Sequence, residues 1–118
     1  MDGYNDSDTF GWKFHEYITP EKSDYIIEKR RPSSFYQTGL KDLLDELQTK
    51  NLVLTGLVTS GCYGATASDA VLNKYNTFIV TDAHSDRGKA AVDAFNDRFA
   101  DYDYVTMIET ESVKFSKK

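Results

Sequence analysis

With one cysteine in 118 residues no intrachain disulfide is possible, and nothing points to a secreted, oxidised scaffold. No apolar run approaches the ~20 residues that would span a bilayer. The opening stretch, MDGYNDSDTFGW, has no charged segment leading into an apolar one, so no signal peptide is expected there. A reducing cytoplasm is the expected compartment, with no membrane association. Positive charge is scarce as well, since 14 Lys and Arg stand against 19 Asp and Glu for a net charge of −5. The one dense basic cluster, Lys29-Arg30-Arg31, is too short for the basic stripe that a phosphate backbone demands, so nucleic-acid binding is not expected.

An apolar content of 40% with 14% aromatics belongs to a folded chain, and the length allows one core. We read residues 1–118 as a single α/β domain. Residues 1–23, punctuated by Gly3, Gly11 and Pro20, form a loop or lid-like segment, and residues 24–118 form the core.

The core alternates strands with helices. DYIIEK (24–29) is a short β-prone run, and Pro32 biases Arg31 away from helix. Leu40, Leu43, Leu44 and Leu47 stand at i, i+3, i+4 and i+7, one apolar stripe of a helix with Thr38 as its N-cap. NLVLTG reads as a buried strand, followed by a helix of small residues from Cys62 to about Lys74. TFIVT (77–81) is the next strand. A second amphipathic helix runs through Ala91, Ala94, Phe95 and Phe99 with Ser85 as its cap, and DYVTMI closes the series. Strand-helix alternation of this kind predicts a parallel sheet. Ligands bind such sheets outside the carboxyl ends of the strands. Three segments converge at that edge: the loop after Lys29, the turn holding Cys62, and DAHSD (82–86).

Cys62 invites two readings. At the first turn of a helix, a thiol meets unpaired backbone N–H groups and the positive end of the dipole, both of which favour the thiolate. The same N–H groups suit the oxyanion of a tetrahedral intermediate, and Gly56 and Gly61 permit a tight turn. The other reading is that Cys62 is an inert apolar filler, the commoner fate of a free cysteine. A phosphate-cradling loop is a poorer fit, since no Lys-Ser/Thr pair follows the glycines. His15 and His84 lack ligand-like spacing and read as surface or cap residues, so neither metal nor cofactor is expected.

The segment from Asp24 to Asp86 resembles the isochorismatase-like cysteine hydrolases, which include nicotinamidases and N-carbamoyl amidohydrolases. The similar features are a strand ending in Lys29 and an S-x-F-x-x-T-x-L stretch through Ser33 or Ser34, Phe35, Thr38 and Leu40. LVLTG-x-x-T-x-x-C at 52–62, T-A-x-x-A at 66–70 and V-x-D-A at 80–83 complete the pattern. The resemblance implies that Cys62 attacks an amide or related carbonyl to form an acyl-enzyme that water hydrolyses. It implies that Lys29 helps activate the thiol and stabilises negative charge. It also implies an oxyanion hole of main-chain N–H groups beside a cis peptide in the Leu57-Val58-Thr59 turn, with Val58, Thr59 and Gly61 as the turn residues. Phe35 and Tyr63 are candidates for lining a substrate pocket, or else simple core aromatics.

The chain departs from the family pattern in one respect. The family's third catalytic group is an aspartate at the end of a first strand, well before the lysine. Asp2, Asp6 and Asp8 lie in a polar segment that does not match that motif. The resemblance implies a three-layer, Rossmann-like parallel sheet with helices on both faces. Here it is truncated to about four strands, the C-terminal portion of the family fold. The expected partners are a small-molecule substrate and either a second copy or the missing N-terminal half. Two further functions stay open: a non-catalytic binding or interaction module that has the loop but not the base, and a redox-responsive thiol domain.

Overall fold

The computed structural model describes residues 16–116. Its main elements are α1 (Leu40–Glu46), β1 (Asn51–Leu57), α2 (Gly64–Leu72), β2 (Asn76–Ser85), α3 (Lys89–Phe99) and β3 (Val105–Ile108). The strands form one parallel sheet in the order β1-β2-β3. Each predicted helix is present, and three of the four predicted strands are.

Register sorts the side chains of the sheet. Leu52, Thr77 and Val105 are paired across the three strands, as are Leu54, Ile79 and Met107. These residues share one face, and all three helices pack there. Leu44 and Leu40 of α1 join Ala70 of α2, Tyr75, Leu52 and Leu54 in one cluster. Ala67 of α2 and Phe95 and Phe99 of α3 join Tyr63 and Ile79 in another. Ala67 and Ala70 are fully buried, and their small size lets α2 lie close to the sheet. The Phe95 and Phe99 rings stack at 4.0 Å. The opposite face carries Val53, Phe78, Thr106, Val80 and Ile108, and none of these belongs to the clusters that α1, α2 and α3 form. The expectation of helices on both faces is therefore corrected. Crossovers of one hand that step the same way across a sheet place their helices on the same side.

The strand expected at 24–29 does not form. That segment is extended but unpaired, with Tyr25 and Ile26 64% and 61% exposed. β-propensity describes fitness for a pleated, half-buried surface, and this segment has no neighbouring strand to supply one. Of the lid-like segment, Glu16–Ile18 makes a single 3₁₀ turn without buried residues. Asp2, Asp6, Asp8 and His15 lie outside the described residues.

Two caps differ from expectation. Gly39, not Thr38, is the N-cap of α1, although the Thr38 hydroxyl accepts the Leu40 N–H at 3.2 Å. Ser85 does not cap α3, which starts after Gly88; it pairs with Leu57 as the last residue of β2. The strand reaches that far because the ladder is irregular. Between the Leu54–Ile79 and Gly56–His84 pairs, β1 advances two residues while β2 advances five. Gly56 sits at this break with φ +129°, a conformation open to glycine and strained for other residues.

Candidate active site

The carboxyl end of β1 leads into a wide turn, Thr59–Tyr63, that carries Cys62 just ahead of α2. The Leu57–Val58 peptide bond is cis, within the stretch where the resemblance put one. The turn closes on a single carbonyl, since Val58 O accepts the N–H of Gly61 at 2.9 Å and that of Tyr63 at 3.1 Å. The helical path breaks at Gly61. It resumes through Gly64, where a Cβ would stand 2.6 Å from the Thr59 carbonyl oxygen, so only glycine lets α2 start this close to the turn.

Lys29 lies 33 residues before Cys62 in the chain, yet its ammonium donates to the Cys62 sulfur at 3.3 Å. The same nitrogen donates to the Arg31 and Pro32 carbonyls at 3.1 and 3.2 Å. Three acceptors thus fix an ammonium that has three protons to give. The loop that delivers Lys29 is itself tied to α2. The Ser33 hydroxyl donates to Asp69 at 2.5 Å, the Ser34 N–H donates to the Thr66 hydroxyl at 2.9 Å, and Thr38 donates to the Ser34 carbonyl at 2.6 Å. The S-x-F-x-x-T and T-A-x-x-A stretches of the sequence are the two halves of this fastening.

The three segments expected to converge do so. From β2, His84 Nδ1 lies 2.8 Å from the Thr59 hydroxyl, and its ring stacks on Tyr63 with centroids 4.4 Å apart. Beyond β2, Asp86 accepts the Ser60 N–H at 2.9 Å and the Ser60 hydroxyl at 2.5 Å. The Ser60 hydroxyl is the main reason the Asp86 carboxyl is held below the usual aspartate range, helped by the N–H groups of Arg87 and Ser60.

The half-buried sulfur borders a cleft of about 420 Å³, lined by Lys29, Phe35, Leu44, Thr66 and the edge of β1. Phe35 is half-buried and stacks on Tyr75. Tyr63 also borders the cleft, but it is 4% exposed, belongs to the core and donates its hydroxyl to the Leu54 carbonyl at 2.7 Å. Burial pushes the Tyr63 phenol up. Among the turn residues, the Gly61 and Tyr63 amides donate to the Val58 carbonyl and the Ser60 amide to Asp86, so Gly61 offers the turn its shape and not a free N–H. Among the described residues no carboxylate hydrogen-bonds the sulfur, and no group of His, Cys, Asp and Glu is placed to hold a metal.

The sequence did not single out His84 or Asp86 as site residues. His84 is corrected from a surface or cap residue to a 5% exposed one. It is out of step with the inward alternation of Thr77 and Ile79, and only the irregular ladder returns it to the helix-covered face. No spacing rule marks that irregularity.

The comparisons with known proteins bear on this arrangement. The model of the isochorismatase domain matches residues 2–112. The chain belongs to the isochorismatase family. Maleamate amidohydrolase of Pseudomonas putida is 32% identical over 92 residues, covering 75% of this chain and 43% of that protein. The structure of N-carbamoylsarcosine amidase from Thermoplasma acidophilum superposes with a TM-score of 0.79 at 28% identity, over 92% of this chain and 61% of that one. An isochorismatase-like hydrolase from Alkaliphilus metalliredigens gives 0.81 at 27% identity, over 88% and 57%. The chain spans between 43% and 61% of the length of these family members. Its sheet accordingly matches part of the family fold.

Proposed function

We propose that this chain carries the nucleophile-bearing part of a cysteine amidohydrolase acting on a small amide or N-carbamoyl compound. The observation that carries the reading is the Lys29 ammonium held 3.3 Å from the Cys62 sulfur. A fixed ammonium donating to sulfur favours the thiolate, the form that attacks carbon. Membership of a family containing amidohydrolases supports the same chemistry.

In the proposed reaction, the sulfur attacks the carbonyl carbon and a C–S bond forms. In this reading the carbonyl oxygen takes the negative charge and main-chain amides of the turn, those of Val58 and Thr59, receive it. The C–N bond then breaks, the leaving nitrogen takes a proton, and a thioester remains. Water adds to the thioester, the C–S bond breaks, and the acid departs. Lys29 stabilises the anionic sulfur at both ends of this sequence. One acid–base group would balance both steps, giving its proton to the leaving nitrogen and taking one from the attacking water; among the described residues no carboxylate hydrogen-bonds the sulfur to fill that role. Among the described residues no strand pairs with the far edge of β1, and a second copy or the remaining half of the fold docked there would supply that group.

The test is intact-mass spectrometry during incubation with a panel of maleamate, N-carbamoylsarcosine, ureidoacrylate and nicotinamide, with ammonia release read in parallel. An acyl adduct on Cys62 with ammonia release is expected for at least one compound. Binding of a compound without adduct or ammonia would favour the non-catalytic module instead.

A further inference from the structure

The His84 side chain touches both ends of the turn bearing Cys62. At the leading end its Nδ1 meets the Thr59 hydroxyl at 2.8 Å, and at the trailing end its ring lies flat on Tyr63, 9° from parallel. Phe95 closes the box edge-on, with centroids 5.1 Å apart. Asn96 Nδ2 donates to the Thr81 carbonyl at 3.4 Å, so Asn96 Oδ1 faces His84 Nε2 at 2.9 Å. On the other side of the ring, Nδ1 shares a hydrogen bond with the Thr59 hydroxyl. Thr59 is 1% exposed and His84 5%, so water does not compete for these bonds.

We propose that His84, held from both ring nitrogens, is a positioning residue that fixes the direction in which the Cys62 sulfur points. The inference deepens the reading of Cys62 as nucleophile and rests on it. Its physical content is a chain of rigid contacts. Asn96 orients the imidazole, the imidazole holds Thr59 and Tyr63, and the turn between them sets the 3.3 Å approach of sulfur to Lys29. Displacements of about 1 Å at a reacting group cost on the order of a hundredfold in rate. The irregular ladder of β2 has a consequence here, because a regular strand would turn residue 84 to the other face of the sheet.

The experiment measures alkylation of Cys62 by iodoacetamide from pH 6 to 9.5 by intact mass, in the full chain. His84→Phe preserves the ring stack and removes both hydrogen bonds, Thr59→Val removes one of them, and Thr59→Ser restores the hydroxyl. His84→Phe and Thr59→Val are each expected to move the alkylation midpoint up by about one pH unit, or about tenfold in rate near neutrality. The double variant should lose no more than the worse single one, because both remove the same bond. Thr59→Ser should match the parent. A purely structural role would lower the melting temperature and leave the midpoint in place. Folded variants with unchanged midpoints, or a double variant whose losses add, would overturn the proposal. Should His84→Phe fail to fold, the Thr59→Val and Thr59→Ser pair decides alone. A parent protein whose sulfur alkylates like that of free glutathione would remove the nucleophile itself, and the positioning role with it. A reactive parent with equally reactive variants would remove only the latter.

Discussion

The two flanks of the Cys62 turn are built differently. On the cleft side, Lys29 is half-buried and charged, and it rests on two backbone carbonyls and one sulfur. On the sheet side, His84 and Thr59 are buried, and aromatic rings and directed hydrogen bonds enclose them. An ammonium can be accommodated where solvent still reaches it, whereas a buried polar group must have every partner supplied by the protein. The cleft side therefore suits chemistry, and the sheet side suits geometry. On the proposed reading, separating the two would let a substrate meet a sulfur whose direction is set from behind.

The sharpest break of that division is Cys62→Ser. It should reduce turnover of any amide the protein cleaves by on the order of a thousandfold or more while leaving the melting temperature nearly unchanged. Next, Lys29→Ala should slow acylation by about a hundredfold, read as the rate of adduct formation in single-turnover mass spectrometry. Lys29→Arg should restore charge but not rate, since a planar guanidinium does not fit the ammonium's three acceptors. Gly64→Ala tests the sheet side from below. Its Cβ would press on the Thr59 carbonyl, so a loss of ~1–3 kcal/mol in denaturant unfolding is expected.

The smallest effect belongs to Asp86→Asn. The Asp86 carboxyl is held low by Ser60 in the folded chain, so its contribution is present above the unfolded value of about 3.9 and fades as pH falls through the lower folded value. Asp86→Asn should lower the melting temperature by a few degrees at pH 7. The gap between the two proteins should close on acidification below pH ~4. A gap that persisted in acid would assign the effect to something other than the carboxylate.

The cleft side was largely legible in the sequence and the sheet side was not. Lys29, Cys62 and the turn between β1 and α2 sit in motif spacing that survives without coordinates, and the leucines of α1 and the phenylalanines of α3 carry their period openly. His84 could not be read that way, because its burial depends on three extra residues in one strand of a ladder. The DYIIEK segment failed for the opposite reason. Its composition is that of a strand, but a strand needs a neighbour, and local composition contains no information about one. The one-sided placement of the helices followed from strand order, which alternation alone does not reveal.

The edge of β1 that has no partner among the described residues runs along the wall of the cleft that ends at the sulfur. Any chain that hydrogen-bonds to this edge would stand in the doorway as well as extend the sheet. A partner at that edge would couple assembly to small-molecule entry through the same seven residues, Asn51–Leu57.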